Sequence, residues 1–107
     1  SRDMTYIEDV ISGISELIEA RSTSSSSHEI YNIGNSKPIT LIEMLRIIEN
    51  KLGLKAKINF LDQQIGDVDI TFADSSKISS LTSFTSKIST DEGLKLFVEW
   101  YKREANI

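Results

Sequence analysis

Gln64, Gly66 and Asp67 fall within four residues of one another and together offer a compact set of polar groups. The amide of Gln64 both donates and accepts, the Asp67 carboxylate accepts, and Gly66 permits a positive φ or a close backbone approach between them. Such a loop suits a ligand rich in hydroxyl groups. An ordinary turn between two strands would use the same residues, because Gly-Asp pairs serve there constantly. A second candidate is Arg2, whose planar fork matches phosphate oxygens in a way that lysine does not. It stands just before a helix start signalled by Thr5 and Glu8, so free backbone amides and the helix dipole would add to its pull on an anion. The plain alternative is a solvated surface arginine.

The elements that must position these groups follow from periodicity and caps. Ile7, Val10, Ile11, Ile14, Leu17 and Ile18 recur at helical spacing and predict an amphipathic helix over about Tyr6–Ala20, with Glu8, Ser12, Ser15, Glu16 and Glu19 mainly on its other side. Residues 21–28, RSTSSSSH, read as a flexible serine-rich surface loop. Glu29–Ile33 alternates as a short strand that Gly34-Asn35 ends. Thr40 with Glu43 repeats the capping box, a helix with Leu41, Leu45, Ile48 and Leu52 on one stripe runs over about Leu41–Leu52, and Gly53 stops it. Lys57–Leu61 and Ile70–Ala73 read as two further extended pieces on either side of the Gln64–Asp67 loop. Asp74 can cap a short helix through about Leu81. Ser89 with Glu92 opens the closing helix, about Thr90–Glu104, with Leu94, Phe97, Val98 and Tyr101 on its buried face; Trp100 lies off that stripe, in the core or at its rim. The expected fold is α/β or α+β: one small mixed domain over 1–107, with three main helices, one short helix and about three short strands.

Composition narrows the chemistry. The 107 residues are 39% hydrophobic and 26% charged, which is ordinary for a globular chain. There is no cysteine and one histidine, His28, in the serine-rich stretch, so neither a disulfide scaffold nor a metal site is expected. A formal net charge of −4 with scattered lysines excludes a general grip on nucleic acid, and an anionic ligand needs local help. No apolar run approaches the roughly 20 residues that cross a bilayer, and Ser1-Arg2-Asp3 is not a signal peptide, so the expected location is cytoplasmic, off the membrane.

Arg2-Asp3-Met4-Thr5-Tyr6-Ile7-Glu8-Asp9-Val10, Tyr31-Asn32-Ile33-Gly34-Asn35, Gln64-Ile65-Gly66-Asp67-Val68 with Ala73-Asp74, and the ending Asp91-Glu92-Gly93-Leu94-Lys95-Leu96-Phe97-Val98-Glu99-Trp100-Tyr101 occur in an order and at spacings that resemble the C-terminal part of extended short-chain dehydrogenases/reductases. Within that family the chain is most similar to the NAD-dependent nucleotide-sugar epimerases that act on UDP-glucuronate. The resemblance covers nearly the whole chain but about the last third of such an enzyme. It implies that Glu29–Ile33 belongs to a larger Rossmann-type sheet. It also implies that Arg2 contacts the diphosphate of a UDP-sugar, that Met4 lines the nucleotide, and that Gln64 and Asp67 contribute phosphate and ribose contacts. Thr5 is a weaker candidate, because capping already explains it. Met4 stands where relatives carry an aromatic residue, Gln64 where many carry a second arginine, and Ile65 where proline is customary. The glutamine matches the uronate-epimerase branch, and the isoleucine changes loop stiffness.

The family's glycine-rich NAD turn and Tyr-x-x-x-Lys pair have no counterpart here. The five glycines, at 13, 34, 53, 66 and 93, are isolated, and the residues four beyond Tyr6, Tyr31 and Tyr101 are Val10, Asn35 and Ala105. The expectation is therefore a non-catalytic nucleotide-sugar-binding portion, a fragment or truncated product, of an enzyme in which NAD oxidises C4 of the sugar and returns hydride to the other face. Its partners would be a UDP-sugar and an upstream Rossmann half, and apolar faces shaped for that half would favour self-association in its absence. The alternative is a free-standing binding or interaction module that inherited the fold without the chemistry.

Overall fold

The structure, a computed structural model, describes residues 1–20 and 28–106. The serine-rich loop expected at 21–28 lies outside the described residues except for His28. Among the described residues the elements are α1 (Ile7–Ala20), α2 (Leu41–Leu52), α3 (Ser76–Leu81) and α4 (Thr90–Ala105). Each end has a local cause. The first turn of α1 closes on the Tyr6 carbonyl, which accepts from Asp9 N at 3.0 Å and Val10 N at 3.3 Å. The capping box of α2 is complete: Thr40 Oγ1 accepts from Glu43 N at 3.1 Å, and Glu43 Oε2 accepts from Thr40 N at 2.9 Å. Gly53, at φ 69°, ends that helix in the left-handed region. Asp74 Oδ1 accepts from Ser76 N at 3.0 Å at the head of α3, and Ser89 Oγ accepts from Glu92 N at 3.1 Å at the head of α4.

The three expected strands, Glu29–Ile33, Lys57–Leu61 and Ile70–Ala73, are not strands among the described residues. The physical reason is that a strand is a relation between two backbones, and these alternating segments have no ladder partner among the described residues. Among the described residues Arg2 and Ile39 form an isolated antiparallel bridge, with N–H···O distances of 2.8 and 2.9 Å. In addition, Thr71 N donates to Ser1 O at 3.2 Å, which lays the segment after the glycine turn beside the start of the chain.

Packing also departs from the helical stripes. α2 packs on α4, and α1 on α3. The buried residues of α1 are Asp9 and Gly13, while Ile7, Ile11, Ile14 and Ile18 are between 44% and 68% exposed. The isoleucine stripe therefore faces away from the chain's own body, and Glu16, expected on the outer side, bonds Ser83 Oγ at 3.2 Å through Oε2. α4 divides similarly: Val98 is buried, but Phe97, Trp100 and Tyr101 are about half exposed, with Phe97 and Trp100 rings 5.8 Å apart. Among the described residues the buried apolar core is Ile78, Phe84 and Val98. A radius of gyration of 17.1 Å exceeds the roughly 13 Å of a compact domain of this length.

Candidate functional site

Gln64, Ile65, Gly66 and Asp67 form a tight turn in which Asp67 N donates to Gln64 O at 3.1 Å and Gly66 takes φ 87°. A positive φ at the third position is the mark of a type II turn, and it explains both the glycine and why proline would suit the preceding position. Gln63 Nε2 tightens the loop by donating to Asp67 O at 3.0 Å. The turn carries Asp67 to Arg2, whose Nη2 lies 2.8 Å from Asp67 Oδ1. Arg2 Nη1 donates to Ser1 O at 2.9 Å and, more weakly, to Asp69 O at 3.5 Å. Arg2, Gln64 and Asp67 line one open hollow of about 370 Å³ with Leu41, Asp62 and Asp69. The structure thus brings three of the four sequence-predicted residues together.

Met4 lies elsewhere. With Thr5, Tyr6, Gly93, Leu94 and Phe97 it lines a second, apolar hollow of about 290 Å³ between the start of α1 and the first turns of α4. In a regular extended strand residues two apart share a side, but Arg2 and Met4, both ahead of α1, line different hollows here.

Two carboxylates that sequence reasoning did not single out hold this arrangement. Asp3 N donates to Thr71 Oγ1 at 2.8 Å, and Asp3 Oδ2 accepts from Ser36 N at 3.0 Å and Ala73 N at 2.9 Å. Next to Arg2, Asp3 therefore ties the start of the chain to the segments after Gly34 and after the glycine turn. Its Oδ1 is buried and has no partner among the described residues. Gly34 is needed in that clasp, because a Cβ there would run into the Ala73 side chain. Asp9 is 3% exposed and accepts from Lys87 N and Ile88 N, at 3.1 and 3.0 Å. The Ser86 hydroxyl sits 3.0 Å from Asp9 Oδ2 and 2.8 Å from Asn35 Oδ1. Neither aspartate had a spacing signal. An acidic residue in a helix's first turn reads as a dipole partner, and its inward orientation is visible only once the isoleucine stripe is known to face out.

The hollow is electrically mixed. Asp62, Asp67 and Asp69 line it against one guanidinium, and the uncharged Gln64 adds hydrogen bonding without charge. Two glycines outside the hollow serve close packing: a Cβ at Gly13 would meet Ile33 at 2.9 Å and one at Gly93 would meet Tyr6 at 3.1 Å. Among the described residues there is no cluster of metal-binding side chains, and no helix is long and apolar enough to cross a membrane.

No protein-family model matches the chain. An uncharacterised protein of Methanocaldococcus jannaschii is 44% identical over 94% of the chain and 29% of its own length. A UDP-glucuronate 4-epimerase of Thermodesulfobacterium geofontis is 36% identical over 100% of the chain and 32% of its own. A crystal structure of UDP-glucuronic acid 4-epimerase from Bacillus cereus, in complex with UDP-glucuronic acid and NAD, is 28% identical and superposes with a TM-score of 0.82 over 95% of the chain and 32% of its own. The chain thus spans about a third of the length of the relatives it matches. In sequence and in fold the chain is thus similar to a C-terminal portion of UDP-glucuronate 4-epimerases.

Proposed function

We propose that this chain is the part of a UDP-sugar 4-epimerase that holds the sugar nucleotide by its diphosphate, with UDP-glucuronate as the favoured substrate. The observation that carries the reading is the convergence of Arg2, Gln64 and Asp67 on one hollow across 65 residues of chain. Arg2 supplies charge-assisted hydrogen bonds to phosphate oxygens, Gln64 adds neutral ones, and Asp67 accepts from ribose hydroxyls. Hydride transfer belongs to residues outside this chain. One guanidinium among three carboxylates gives weak binding, of the order of millimolar or about 4 kcal/mol, until further walls enclose the ligand.

The partner that supplies those walls is an NAD-binding Rossmann half. Ile7, Ile11, Ile14 and Ile18 form a continuous exposed stripe on α1, and Phe97, Trp100 and Tyr101 expose aromatic surface on α4 beside the apolar hollow of Met4 and Leu94. Isoleucines at this spacing belong under another layer of structure. Met4 then contributes to that junction rather than to the diphosphate hollow. Uncovered, the same stripe favours self-association.

A chimaera tests the proposal. With this chain in place of the corresponding third of the Thermodesulfobacterium geofontis enzyme, UDP-glucuronate should be epimerised in the presence of NAD, and Arg2→Ala should raise KM by at least tenfold with smaller loss of kcat. A folded, NAD-binding chimaera that leaves UDP-glucuronate unchanged would sink the proposal.

A further inference from the structure

We propose that Asp67 is the internal counter-ion of Arg2, and that an incoming diphosphate takes its place, so that the Gly66 turn acts as an exchange latch on the anion site. The inference rests on the reading of Arg2 as the diphosphate-binding residue. Arg2 Nη2 donates to Asp67 Oδ1 at 2.8 Å, and the same oxygen accepts from Val68 N at 3.0 Å. Nη1 is occupied by the carbonyls of Ser1 and Asp69. Of the five N–H groups that a guanidinium carries, Nε–H and one on Nη2 have no partner among the described residues. A ligand oxygen can therefore approach Arg2 before the ion pair opens, and the exchange needs no bare charge at any stage.

The surroundings allow the carboxylate to leave. Asp67 has a side chain 49% exposed, a Cβ at Gly66 would meet nothing within 4 Å, and Ile65 is fully exposed. The turn thus has no packing to lose when Asp67 swings outward, while the Asp67 N to Gln64 O bond of 3.1 Å keeps it closed. The latch selects by charge. A singly charged anion offers Arg2 no more than the carboxylate already there, whereas adjacent phosphates offer more charge in a matching fork. Once released, the Asp67 carboxylate is an unpaired acceptor next to the bound anion, where a hydroxyl-bearing ligand such as a nucleoside diphosphate repays its displacement.

The test is a titration with inorganic pyrophosphate, followed by amide chemical shifts at Gly66 and Val68, in the wild-type chain and in Asp67→Asn, Asp67→Ala, Asp62→Asn and Arg2→Ala variants. Both Asp67 substitutions should tighten pyrophosphate binding by about two- to fivefold, the scale on which an exposed ion pair competes. Asp62→Asn makes the same change of charge in the same hollow without touching the ion pair, and its gain should be smaller. Unchanged or weaker binding in the Asp67 variants, or an equal gain in Asp62→Asn, overturns the latch while leaving Arg2 as the anion-binding residue. If Arg2→Ala binds pyrophosphate as well as wild type, the latch and the reading beneath it both fail.

Discussion

The carboxylate of Asp9, in the first turn of α1, accepts from the backbone N–H of Ile88 at 3.0 Å across 79 residues of chain. With Lys87 N as a second donor and Ser86 Oγ alongside, one buried side chain fixes how the loop before α4 meets α1. Asp9→Ala leaves two inward-facing backbone donors unmet and should cost about 3 kcal/mol in urea unfolding. Asp9→Asn, which keeps an acceptor, should cost less. A loss under about 0.5 kcal/mol for the alanine variant would show that water replaces the carboxylate freely.

Gly34 lies where the segment after Ile33 passes Asp3 and Ala73, and a Cβ there has no room. Gly34→Ala should destabilise by about 1–3 kcal/mol, the usual cost of overpacking. Because the displaced neighbours are Ala73 and then Asp3 Oδ2, which adjoins Arg2, the Arg2 and Gly66 amide resonances should move as well. Gly66→Ala meets no atom, and its cost should come from the positive φ alone, at about 1 kcal/mol.

Glu49, in the last turn of α2, accepts from Ala56 N at 2.7 Å and Arg46 Nη1 at 2.8 Å. The bond from Ala56 N, then the one from Arg46, hold its pKa below the ordinary value of 4.5. A carboxyl with a depressed folded-state pKa stabilises above its unfolded value, and that contribution is lost as pH falls through the folded one. Stability should therefore be level down to about pH 4.5 and then decline, and Glu49→Gln should flatten the part of the decline that Glu49 causes. Asp74, lowered by the Ser76 hydroxyl and N–H, adds in the same direction. An identical acid limb in Glu49→Gln would contradict this assignment.

The helices were legible because their signals are local. Leu41–Leu52 is bounded by a box and a glycine that work as read, and α4 differs from its expected span by one residue. What the sequence did not disclose is what each face meets. The Ile7–Ile18 stripe and the alternation in Glu29–Ile33 carry the pattern of burial, but the pattern does not say that Ile7, Ile11, Ile14, Ile18 and Ile30 stay exposed in this structure. Arg2 and Asp67 were linked by family resemblance, since no periodicity joins positions 65 apart. Met4 lines the other hollow although it stands only two residues from Arg2, and that offset alone did not reveal it. Asp3 and Asp9 act through backbone donors brought from distant segments, which leave no trace in local spacing.

Ile65 occupies the second position of the Gln64–Asp67 turn, is fully exposed, and precedes the glycine at φ 87°. Ile65→Pro should fit that turn and stabilise by about 0.4–1 kcal/mol through the unfolded chain, with UDP affinity unchanged. Thermal unfolding and a UDP titration check both parts; a destabilised variant would mean the turn is not type II.

The most direct test of the diphosphate hollow is a titration of the 107-residue chain with UDP, read residue by residue as amide shifts. Shifts should concentrate at Arg2, Gln64, Gly66 and Asp67, vanish in Arg2→Ala, and persist in Lys87→Ala, whose exposed side chain stands apart from the hollow. Equal loss in both variants, or shifts centred on Met4, Leu94 and Phe97 instead, would contradict the account.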